Sequence, residues 1–124
     1  MSKGFTLIEL LLVVVIIGIV AALVLPKFGD VKDRAYVAAM QNDLRNLATQ
    51  QEIYFDSHGE YFDTFVDGDI ELIPGFATSA NVHIEVERND ADAGYSATAT
   101  HGLVADDRSC TLEIGLSALN RVVC

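Results

Sequence analysis

From Leu10 to Leu25 the chain runs for sixteen residues without a charge, interrupted only by Gly18. Counted from Phe5 the apolar segment is 21 residues long. As a helix rising about 1.5 Å per residue it would span roughly 31 Å, enough for the hydrocarbon core of a bilayer. A helix that is greasy all round can be covered only by lipid or by other apolar helices. Its position fits either a cleaved secretory signal or a retained anchor. A secretory signal has an apolar stretch of about 7–15 residues and then a small-residue cleavage site. This stretch is longer and is followed by Pro26-Lys27-Phe28, which argues for a retained helix. Lys3 places the N-terminus in the cytoplasm by the positive-inside tendency, with Lys27 and Lys32 opposing it.

Glu9 interrupts the apolar segment between Ile8 and Leu10. A carboxylate at mid-membrane costs about 2.5–3.5 kcal/mol on insertion scales, so an acid there calls for an explanation. Either Glu9 lies at the headgroup edge and is solvated, or it meets a cationic partner in apolar surroundings.

Past Pro26 the pattern becomes one-sided. Tyr36, Met40, Leu44, Leu47, Gln51 and Tyr54 recur at steps of three and four, with Gln51 as a polar slip. Lys27, Lys32 and Arg34 alternate with Asp30 and Asp33 and read as a helix surface. The pattern predicts one long helix from Phe5 to about Ser57, kinked near Pro26 and ended by His58-Gly59. Residues 59–81 read as a mixed connection punctuated by Gly59, Gly68, Pro74 and Gly75. Val82–Glu87 and Tyr95–Thr100 alternate as half-buried strands that should pair antiparallel. Cys110–Ile114 is a third strand and Arg121–Val123 a short fourth piece. The expected fold class is α+β, a long N-terminal helix packed on a small antiparallel sheet of three to four strands.

Cys110 and Cys124 are the only cysteines. Beside an export segment, an even count suits an oxidising compartment. A bridge would close a loop worth about 3 kcal/mol; the alternative is two separate buried thiols. The net charge of −10 belongs almost wholly to the part after Pro26 and argues against nucleic-acid binding. Asp63, Asp67, Asp69 and Glu71 lack the calcium-loop spacing and read as a solvated loop. His58, His83 and His101 are scattered, no nucleophile elbow surrounds Ser109-Cys110, and no phosphate-cradling glycine loop occurs. No metal or cofactor is expected, and the chain does not read as an enzyme.

Gly4-Phe5-Thr6-Leu7-Ile8-Glu9-Leu10 behind a short leader with Lys3 resembles the class III signal of type IV prepilins and type II secretion pseudopilins. Gly18, Ala21, Ala22 and Pro26 stand where that family has a glycine, small residues and a proline. The resemblance covers about residues 3–28 and extends weakly through 51–61. It implies four segments: a leader at 1–4, a transmembrane or filament-core helix at 5–25, an amphipathic continuation at 26–57, and a globular β-sheet region at 58–124 with a C-terminal disulfide loop. It further implies cleavage by a prepilin peptidase between Gly4 and Phe5, then N-methylation of the new Phe5 amine. Glu9 would neutralise the Phe5 amine of a neighbouring subunit during assembly; pairing within one chain is the competing possibility. The bridged Cys110–Cys124 end is similar to the C-terminal region of many pilins. The implied partners are copies of the same chain in a helical filament, the peptidase, the pilus assembly machinery, and membrane lipid before assembly. The chain would pass from the inner membrane to an extracellular filament. A pseudopilin is the near alternative, and a membrane-anchored binding or sensor domain is the alternative from another class.

Overall fold

The computed structural model describes residues 3–24, 27–104, 107–118 and 120–124. The chain divides into two compact units, Met1–Lys32 and Asp33–Cys124. The first contains helix α1, Leu7–Val24, none of whose residues is buried. Helix α2, Lys27–His58, begins in this unit and continues into the second. The kink expected at Pro26 lies outside the described residues. Helix α1 starts two residues later than Phe5, because Thr6 caps it in the manner described below.

In the second unit, α2 ends where the sequence predicts. Gly59 has φ 78°, and its N–H donates to the Phe55 carbonyl at 2.8 Å, closing the last turn as a left-handed cap. The connection to the sheet holds a single 3-10 turn, Ile70–Leu72, that the sequence pattern did not reveal. Four antiparallel strands follow in spatial order: β1 Val82–Asn89, β2 Gly94–His101, β3 Ser109–Ile114 and β4 Val122–Val123. Strand β1 pairs with β2 from Val82 opposite His101 to Asn89 opposite Gly94. Val82, Ile84 and Val86 are buried while His83, Glu85 and Glu87 are exposed, the period-two signature of a sheet covered on one face. The covered face meets the α2 stripe. Met40, Leu44 and Leu47 share one core with Ile84, Val86, Ala97, Ala99, Cys110 and Leu112.

Gln51, the polar slip in that stripe, is fully buried. Its side chain accepts from the Phe62 N–H at 2.8 Å and donates to the Phe62 carbonyl at 3.0 Å. Replacing it strands two buried backbone groups, each costing about 1–3 kcal/mol. Gln51→Leu should therefore lower unfolding free energy by about 2–4 kcal/mol, read as a lower denaturant midpoint.

The reading of 63–71 as a solvated loop needs correction at Asp63, which is buried. Its carboxylate accepts from the N–H groups of Phe65 at 2.8 Å and Arg88 at 3.1 Å, while its own N–H donates to Asp67 at 3.1 Å. Backbone donors replace the water that an acid loses on burial. Asp43 does the same on α2, accepting from the Ser79 N–H at 2.7 Å and hydroxyl at 2.9 Å. These two acids fasten the connecting segment at both ends.

Tyr95 is buried beside Tyr61, ring centroids 4.9 Å apart, and its hydroxyl has no hydrogen-bond partner among the described residues. Burial first, then the negative charge of Glu52 and the neighbouring Tyr61, push its pKa far above the usual 10.0. The folded chain thus holds this proton at pH values where the unfolded chain releases it. The stability so gained is complete below pH about 10 and falls as pH rises beyond. Tyr95→Phe should be nearly neutral at pH 7 and should flatten the alkaline limb of a stability-against-pH curve.

Candidate processing and assembly site at the N-terminus

Sequence reasoning singled out Gly4, Phe5 and Glu9, and they lie at the head of α1. A Cβ added at Gly4 would meet nothing within 4 Å, so the Gly4–Phe5 bond is open to approach. Phe5 is 82% exposed. Thr6 and Glu9 then form a reciprocal cap. The Thr6 N–H and hydroxyl each lie 3.4 Å from Glu9 Oε2, and the Glu9 N–H lies 3.4 Å from Thr6 Oγ1. The Glu9 N–H also donates to the Thr6 carbonyl at 3.1 Å. This is a capping box, in which a threonine and the glutamate three residues later satisfy each other's free backbone donors. Its negative charge also suits the positive end of the helix dipole. Thr6 is the residue that sequence reasoning missed, although Thr6-Leu7-Ile8-Glu9 has the capping-box spacing.

The capping box gives Glu9 donors but no cation. Among the described residues the Glu9 carboxylate forms no ion pair. Beyond Glu9, α1 presents apolar side chains on every side, from Leu10 at 63% exposed to Leu23 at 69%. By length and composition this apolar segment is sufficient to cross a membrane.

The cysteines meet as a bridge between Cys110 and Cys124, fourteen residues apart. The bridge joins the buried middle of the sheet to the chain end, and Gln41 Nε2 on α2 lies 3.3 Å from Cys124 Sγ. Strand β4 has only two residues, so the covalent loop does much of its anchoring. Reduction should cost about 3 kcal/mol, seen as a fall in melting temperature on adding a thiol reductant. His101 stacks on Tyr36 with ring centroids 4.2 Å apart.

The family profile for the prokaryotic N-terminal methylation motif matches residues 1–25. The type IV major pilin protein PilA of Myxococcus xanthus is 40% identical over 62 residues, half of this chain and 28% of that protein. Type II secretion system core protein G of Pseudomonas aeruginosa is 45% identical over 53 residues, 43% of this chain and 37% of that protein. A fimbrial protein of Moraxella nonliquefaciens is 36% identical over 94 residues, 73% of this chain and 60% of that protein. The chain thus spans between about a quarter and three fifths of the length of these curated relatives. No solved structure matches the chain. The matched motif, the open Gly4–Phe5 bond and the capped acid heading an apolar helix fall in one stretch, and there this chain carries the prokaryotic N-terminal methylation motif and is similar to type IV pilins and a type II secretion core protein.

Proposed function

We propose that the chain is a structural subunit of a type IV pilus-like filament, made as a prepilin. Residues 1–4 are its leader, and the 5–25 helix holds it in the inner membrane. A prepilin peptidase cleaves between Gly4 and Phe5, and the Phe5 amine is methylated. The assembly machinery then moves α1 out of lipid and into a bundle of identical helices that leaves the cell as a filament.

One observation carries this reading: eighteen helical residues with none buried and a single acid, all within the matched methylation motif. Lipid and sibling helices are equally apolar, so grease alone does not favour the bundle. Glu9 supplies the bias. Cleavage turns the Phe5 amide into an ammonium, and a neighbour's Glu9 can neutralise it in a medium where both charges are otherwise costly. Assembly thereby depends on processing.

The likeness to core protein G favours a pseudopilin as the second reading. Imaging of cells lacking this chain separates the two. Loss of surface filaments with protein secretion intact supports the pilus; intact filaments with lost secretion supports the pseudopilin; no change in either contradicts both.

A further inference from the structure

The turn after Asp63 holds two large apolar side chains out in solvent: Phe65 and Val66 are each 70% exposed. The turn itself is well tied. The Phe65 N–H donates to the Asp63 carboxylate at 2.8 Å, and the N–H groups of Val66 and Asp67 donate to the Asp63 carbonyl at 3.2 and 2.7 Å. Thr64 is fastened to β1, its N–H donating to the Val86 carbonyl at 3.1 Å and its hydroxyl accepting from the Val86 N–H at 3.0 Å. Side chains carried on a turn that is already ordered lose little freedom when a partner covers them. Phe65 also borders one cleft together with Asp69 and Glu71. Both acids are exposed and form no ion pair among the described residues. An exposed apolar patch with a polar rim marks an interaction surface.

A complementary surface lies in the first unit. Leu23 and Val24 at the end of α1, with Phe28 and Val31 at the start of α2, line an apolar cleft of about 280 Å³. All four side chains are exposed. On a helical period of about 3.6 residues, Lys32 falls on the Phe28 side of α2 and Asp30 on the far half. Lys32 is exposed and forms no ion pair among the described residues, and the same holds for Arg34 two residues on. One surface is therefore an apolar turn rimmed by free carboxylates. The other is an apolar cleft beside free cations, and it continues the uncovered surface of α1.

We infer that the Phe65–Val66 turn of one copy seats in the Leu23–Val31 cleft of a second copy, with Asp69 and Glu71 set against Lys32 and Arg34. Apolar burial supplies the attraction, and the opposite charges fix the partner and the register. A lipid surface suits the turn less well, because its carboxylates would face anionic headgroups. The two patches differ, so the contact is head-to-tail, as an open helical polymer requires. This inference rests on the filament reading above and adds to the helix bundle a contact that covers the apolar neck of each subunit.

The test places the photo-crosslinker p-benzoylphenylalanine at Phe65, and separately at Val31, in the full chain. Cells are irradiated, dimer-sized products are mapped by peptide mass, and the same cells are imaged for filaments. Position 65 should link to residues 23–34 of another copy, and position 31 to residues 63–72. Lys32→Glu should lower the yield about tenfold, and adding Asp69→Lys and Glu71→Lys should restore it. Filaments in which neither position makes these chain-to-chain links, or in which position 65 links only to phospholipid, overturn the inference and leave the filament reading standing. A yield indifferent to Lys32→Glu, or not restored by the combined variant, does the same. A chain that makes no filaments at all, even without the crosslinker, sinks both.

Discussion

Glu9→Gln is expected to insert into the membrane and lose its leader at the normal rate, yet to leave the cell without filaments. Glutamine keeps the capping box, because its amide oxygen can accept from Thr6 as Glu9 Oε2 does at 3.4 Å. What it loses is the charge. An ammonium left unpaired among apolar helices costs about 3–5 kcal/mol per subunit, a factor of at least about a hundred in each addition step. Glu9→Ala removes the cap as well and should be no better. The comparison assigns the role. Filaments from Glu9→Gln but not Glu9→Ala would mean that the acid serves only to cap α1. Surface subunit measured by shearing and immunoblot gives the readout.

Gly4→Leu should have as large an effect by a different route. Nothing in the chain itself lies within 4 Å of a Cβ at this position, so the substitution leaves the fold alone. On the proposed reading the obstruction is instead to a prepilin peptidase, whose backbone would have to approach a residue without a side chain. Misplacing a scissile bond by about 1 Å can cost about a hundredfold in rate. The variant should accumulate with residues 1–4 still attached. Its Phe5 nitrogen stays an uncharged amide, so assembly fails for want of the cation rather than of the acid. Intact mass and filament counts on the same cells check both steps; normal leader removal would contradict the assigned bond.

Much of this architecture was legible because it is periodic. The steps of Met40, Leu44 and Leu47 marked the buried face of α2, and the alternation of Val82, Ile84 and Val86 marked a strand covered on one side. Gly59 marked the helix end because a left-handed residue was needed there. What the sequence concealed is long-range. Asp63 reads as one more exposed acid until Arg88, twenty-five residues later, brings an N–H to it. Gln51 looks like a flaw in a stripe until the chain returns at Phe62 to use both ends of its amide. The turn at Ile70–Leu72 is too short to set up a period. At the N-terminus, Gly4, Phe5 and Glu9 stood out because they fall within one short stretch, residues 4–9. Thr6 was just as legible by spacing, but the question of a distant partner for Glu9 hid its nearest one.

The most direct test of the central claim is the intact mass of this chain recovered from sheared surface filaments. The account predicts a subunit that begins at Phe5, carries one added methyl group and keeps the Cys110–Cys124 bridge. Recovery only from the membrane fraction, as a monomer still bearing Met1, would contradict it.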